Sequence, residues 1–159
     1  NYTFYAITVT YQNEDEIHMK LYKSAMVKKE SKLNIKNINS TNIFTLVDLA
    51  ISTSKIKNNI NFTKNYDPSI PEFKLDASTF IKTLNQVFEV FKDKENVACS
   101  ILLKIGEYIK IDDKKYSLIS VEISSNEKSD FSSLNIKETN SFIITTDETK
   151  ITLDLPLIL

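Results

Sequence analysis

Arginine and tryptophan are absent from this chain of 159 residues, glycine and cysteine occur once each, and proline occurs three times. Each absence removes a class of chemistry. With Gly106 alone, neither the glycine-rich phosphate loop nor the dinucleotide fingerprint can be built. Without arginine there is no planar fork to grip phosphate or guanine bidentately, which argues against base-specific DNA readout. All 20 basic side chains are lysine, against 21 acids, for a net charge of -1. That balance lacks the basic excess of a dedicated nucleic-acid binder. Cys99 cannot form an intramolecular disulfide or a cysteine zinc site, and His18, the single histidine, cannot form a histidine cluster. No metal and no cofactor is therefore expected. Nor does any run approach the roughly 18 to 20 apolar residues that cross a bilayer as a helix.

What is plentiful is Asn, Ile, Lys, Phe and Tyr, a skew that points to an AT-rich genome. The chain begins at Asn1 rather than Met, which is compatible with a leader cut away ahead of it. Cytoplasm, virion and export are all open as locations.

Periodicity supplies the fold class. In "YTFYAITVTYQ", Tyr5, Ile7, Val9 and Tyr11 share one face, and after the turn residues of "NEDE" the run "IHMKLY" alternates again, so residues 1 to 22 predict a hairpin. The lysine-rich stretch 24 to 36 reads as a solvated strand or loop edge. Ser40, Thr41 and Asn42 are candidate caps for a short helix at about 42 to 52. Residues 55 to 74, polar and broken by Pro68 and Pro71, read as a long surface loop.

A long helix is predicted over about 77 to 94, capped by Asp76 and stapled by Leu75 on Phe80. Phe80, Ile81, Leu84, Val87, Phe88 and Phe91 form its apolar stripe, while Lys82, Asn85, Gln86, Glu89 and Lys92 face water. Beyond Val97 the period returns to two. "ACSILLKI", "EYIKI", "KYSLISVEI", "SFIITT" and "KITLDL" are strands and "DFSSLNI" a sixth candidate, joined by turns at 112 to 114, 126 to 128 and 146 to 149. The whole reads as a single α+β domain over 1 to 159, with about seven to eight strands in one or more antiparallel sheets.

No chemical constellation emerges. His18 alternates with Lys20 and Tyr22 on the solvent side of its strand, and general acid-base work needs a group held in a cleft. Cys99 lies on the same apolar side as Ile101, Leu103 and Ile105, where a thiol is inert core. Asp112 and Asp113 lack the alternating oxygen ligands of a calcium loop and read as a turn. Glu14, Asp15 and Glu16 have no partner carboxylate at an identifiable spacing.

The C-terminal "KITLDLPLIL" raises a different question, because its last five residues carry no charged side chain. Ile151, Leu153 and Leu155 continue a strand that Pro156 ends, leaving Leu157, Ile158 and Leu159 to pack inward or to meet a partner. "TLDLPL" at 152 to 157 resembles the short sliding-clamp-binding peptides of bacterial replication proteins, without their leading Gln.

These observations predict a non-enzymatic interaction or assembly module, of viral or bacterial origin, that binds a protein partner or itself. The residues expected to make the contact are Leu155, Leu157, Ile158, Leu159, Tyr66, Tyr5 and Tyr11. One alternative is a nucleic-acid accessory protein holding the backbone through lysine. A second is an enzyme whose carboxylate or lysine site leaves no motif.

Overall fold

Asp112 and Asp113 both adopt left-handed backbone, with φ of +48° and +64°. Two consecutive positive φ values are what a two-residue hairpin turn requires, and a short carboxylate side chain tolerates them in the absence of glycine. Around this turn a computed structural model builds the protein. It describes residues 27–30, of which only the backbone is considered, together with 38–54, 60–134 and 142–159. In chain order the elements are β1 (Val27–Glu30), β2 (Asn39–Thr41), α1 (Ile43–Thr53), β3 (Asn61–Tyr66), β4 (Phe73–Leu75), α2 (Ala77–Phe91), β5 (Asn96–Ile111), β6 (Lys114–Ser125), β7 (Ile143–Thr146) and β8 (Lys150–Pro156). The expected 1–22 hairpin and His18 lie outside the described residues.

The fold is α+β, as the periodicity predicts. β5, β6, β8 and β7 pair antiparallel in that spatial order. β3 and β1 add to the free side of β5, and both run parallel to it, β3 along Asn96 to Ile101 and β1 along Tyr108 to Lys110. These parallel pairings depart from the purely antiparallel expectation. A parallel neighbour needs a long crossover, and α2 lies within the one that joins β3 to β5. The supposed loop at 55 to 74 therefore contains two strands, β3 and the short β4, which pairs with β2 in a ribbon of its own. Each strand of that ribbon leads directly into a helix.

Both helices begin with the caps the sequence offers. Asn42 Oδ1 accepts from the backbone N–H groups of Phe44 and Thr45, and Asp76 Oδ1 accepts from Thr79 N at 3.1 Å. Such caps satisfy amides that have no partner inside the helix and contribute about 1 kcal/mol each. Phe80, Leu84, Val87, Phe88 and Phe91 of α2 are fully buried. Ile81, expected in that stripe, is only half-buried, and Thr83 takes the interior position by donating its hydroxyl to Thr79 O at 2.9 Å. The helices cover one face of the sheet, where Val97, Cys99, Ile101, Ile119, Val121, Ile123, Ile151, Leu153 and Leu155 join them in one core.

β5 does not alternate throughout. Its register with β6 passes from Lys104↔Leu118 to Tyr108↔Ser117, so residues 105–107 form a bulge, with Gly106 at φ +82°. Ile105, expected on the apolar face, is instead 93% exposed. Beyond the bulge the apolar side changes face: Ile109 and Ile111 join Leu118 in a second buried cluster, away from the helices. The candidate strand at 130 to 136 is not one over its described part, which turns at 132 to 133.

Candidate functional site

The C-terminal half of α2 has a side that the core does not use. Gln86 and Glu89 project from it beside the half-buried Val90, and Lys92 and Lys94 follow within the next turn of chain. Facing them is the segment after β6, with Ser129, Asp130, Ser133 and Leu134. The two sides enclose a cleft of about 510 Å³.

Several contacts hold the second wall in place. Lys94 Nζ donates to Lys128 O at 2.8 Å and lies 3.5 Å from Glu127 Oε2. Ser125 N and Ser129 N donate to Thr149 O and Glu148 O, at 3.0 and 2.8 Å, which braces the wall against the turn between β7 and β8. The Phe131 ring tilts onto Phe91 with centroids 5.8 Å apart. Asp130 Oδ1 accepts from Ser132 N at 2.9 Å, and the hydrogen bonds of Ser132 keep that carboxyl below the usual carboxylate range.

The cleft combines both signs of charge with an apolar strip. Lys92 Nζ is 2.7 Å from Glu89 Oε1, and that hydrogen bond holds the ammonium above its ordinary pKa. Val90 and Leu134 supply the apolar surface. Ser129 Oγ is buried and has no hydrogen-bond partner among the described residues. A buried hydroxyl without a partner costs free energy that a ligand oxygen would return. Among the described residues no three His, Cys, Asp or Glu side chains cluster as a metal site, and no helix is long and apolar enough to cross a membrane.

Among the described residues, none of the partner contacts singled out by the sequence lines this cleft. Tyr5 and Tyr11 fall outside the described residues. Tyr66 is half-buried, stacked on Phe44 at 5.5 Å, and donates its hydroxyl to Asp48 Oδ1 at 2.9 Å; burial together with the neighbouring Cys99 and Asp48 pushes its pKa well up. Leu155 is a core residue. Leu157 N donates to Ser117 O at 2.8 Å, and Ile158 O accepts from Lys74 N at 2.7 Å, so the tail is pinned along the sheet and the β2–β4 ribbon. Leu159 is 76% exposed. Residues 152–156 of the "TLDLPL" peptide belong to β8, with Leu153 through Pro156 buried, and Leu157 is pinned just beyond it, so the peptide cannot be presented as a free strand. Burial pushes the Cys99 thiol up to about 12. The polar side of α2 gave the only signal for the cleft, because its opposite wall comes from residues some forty positions further along the chain.

No family model and no curated protein matches the sequence. Solved structures do resemble the fold. The Acinetobacter baumannii histidine kinase AdeS superposes with a TM-score of 0.50 at 8% identity, covering 91% of this chain and 76% of that one. The catalytic domain of histidine kinase ThkA gives 0.47 at 16% identity, over 77% of this chain and 99% of that one. The histidine kinase domain of the E. coli osmosensor EnvZ gives 0.47 at 12% identity, over 76% and 89%. At 8% identity the likeness to AdeS is one of fold.

That fold corrects the functional expectation. The described residues are arranged as in a histidine kinase, an enzyme. The expected non-enzymatic interaction, assembly or structural module does not accord with this finding. No local motif carries this likeness, which resides in topology.

Proposed function

We propose that the chain is a nucleotide-using domain of the kinase or ATPase type, and that the cleft between α2 and residues 129–134 receives the nucleotide. The observation that carries this reading is the cleft itself, with cations, hydroxyls and an apolar strip converging on a kinase-like fold. Val90 and Leu134 cover a planar base. Lys92 meets phosphate, leaving Glu89, because an exposed ion pair contributes only about 0.2–1 kcal/mol and is readily exchanged. Ser129 Oγ gains an acceptor. Mg²⁺ takes one or two carboxylates plus substrate phosphates, and Glu89 and Asp130 are the acids lining the cleft, so the donor set fits that ion.

Because Gly106 sits in the β5 bulge, no glycine loop wraps the phosphates and side chains alone must hold them. Affinity of about 1 mM is expected on that basis. Backbone amide NMR during titration with ATP and with ADP, each with and without Mg²⁺, tests the assignment. Shifts should concentrate in residues 86–94 and 129–134 and weaken severalfold in Lys92→Met and Ser129→Ala. Absence of saturable shifts under all four conditions overturns the reading. Self-association belongs to the same proposal, since Ile105 and Leu159 are exposed apolar side chains, and solution mass by light scattering checks it.

A further inference from the structure

The opposite face of the sheet holds a second concavity. On β6 the residues alternate with those that meet the helices, so Ser120 and Glu122 point away from the core. The register sets Ser120 against Asp154 and Glu122 against Thr152, with Thr145 on the far side of Thr152. Three adjacent strands thereby contribute polar side chains to one patch, next to the apolar cluster of Ile109, Ile111 and Leu118. Lys104 Nζ reaches across from β5 to within 3.6 Å of Glu122 Oε1. Together they line a basin of about 310 Å³, at the small end of the range of ligand pockets.

Its floor separates it from a merely solvated sheet face. Ser120 and Asp154 are only 2% and 4% exposed, and Ser120 Oγ donates to Asp154 Oδ1 at 2.5 Å. Burying a carboxylate in the middle of a strand is costly, and valine or isoleucine would pack there at no such cost.

We propose that this basin binds a small polyhydroxylated molecule, a sugar or an open-chain polyol. The mixture of groups selects that class. Phosphate and other anions meet three carboxylates, Glu122, Asp154 and the rim residue Asp147. An ammonium ligand offers donors only, so it competes with Lys104 for Glu122 and supplies no acceptor of its own to the threonine hydroxyls. A hydroxyl group both donates and accepts. It gives its proton to Glu122 or Asp154 and takes one from Lys104, Thr145 or Thr152, and vicinal hydroxyls do so in pairs.

The test uses the full chain, with backbone amide NMR during separate titrations of glucose, ribose, sorbitol, spermidine and inorganic phosphate. Glucose, ribose or sorbitol should produce saturable shifts at 120–122 and 152–154, at about millimolar concentration. Which of the three responds distinguishes ring sugar from open-chain polyol. Glu122→Gln and Thr152→Val change partly exposed side chains, and circular dichroism confirms that both variants fold; each should weaken binding by about tenfold, the effect of losing one good hydrogen bond. Failure of all three hydroxyl ligands, saturation by spermidine or phosphate alone, or unchanged binding in both variants overturns the proposal.

Discussion

Val121 and Glu122 are chain neighbours on β6, as Leu153 and Asp154 are on β8, yet each pair straddles the sheet. The first member of each is fully buried beneath the helices. The second faces the polar basin. On the helix side, one continuous core runs from Ile43 to Leu155, and any vacancy there is shared by both helices and four strands, β4, β5, β6 and β8. On the outer side, polarity changes within two residues, from the buried Leu118 to the Ser120–Asp154 pair. The same strands thus perform two tasks. The side that must exclude water is uniform, whereas the side released from that demand can hold groups whose value lies in what they bind.

Phe88→Ala should break the comparison most severely. Phe88 is fully buried and meets Phe62 edge-on at 6.2 Å, and emptying such a site typically costs about 3–5 kcal/mol. Urea unfolding should register that loss, and a change below about 1 kcal/mol would mean that the core collapses to fill the void. On the outer face, Ser120→Ala removes a donor from a buried carboxylate and should cost about 1–3 kcal/mol in the same assay. A neutral result would make the outer pair expendable for stability.

The smallest effect is expected at the edge of the helix layer, where Asp48 of α1 accepts from Lys64 Nζ and Tyr66 Oη of β3, both at 2.9 Å. Burial pulls the Asp48 carboxyl up, but the two hydrogen bonds and the Lys64 charge outweigh it and leave the pKa below its ordinary value. A carboxylate with a depressed folded pKa stabilises fully above its unfolded pKa and loses that contribution as pH falls through the folded one. On acidification through and below the usual carboxylate range, the wild type should therefore lose more stability than Asp48→Asn. The difference should stay below about 1 kcal/mol, because Asp48 and Lys64 are about half exposed. Parallel pH–stability curves for the two proteins would remove the Asp48 contribution.

Legibility in the sequence follows the range of the interactions. Asp76 and the stripe from Phe80 to Phe91 announce α2 because capping and helical period act within a few residues. β3 is different. Its sequence "NFTKNY" has one half-buried residue at each of two positions, Phe62 and Tyr66, and otherwise faces water, so nothing local marks it as a strand. It becomes one through the ladder that β5 offers over Asn61↔Asn96 to Tyr66↔Ile101. The bulge at 105–107 misleads for the opposite reason, since Ile105 continues a perfect alternation that the backbone abandons. The cleft was illegible because Gln86, Glu89 and Lys92 look like any solvated helix face until residues 129–134 come to lie opposite them.

By itself, the sequence determined the α+β class, both helices and their caps, the antiparallel strands after Val97 and the Asp112–Asp113 turn, and its single glycine ruled out a glycine-rich phosphate loop. Tertiary structure alone decided the parallel addition of β3 and β1 to β5, the inward fate of Leu155 and the pinned tail, and both concavities. The first set depends on capping, periodicity and turn energetics between near neighbours. The second depends on hydrogen bonds and packing between residues far apart in the chain, whose partners are chosen only when the sheet closes.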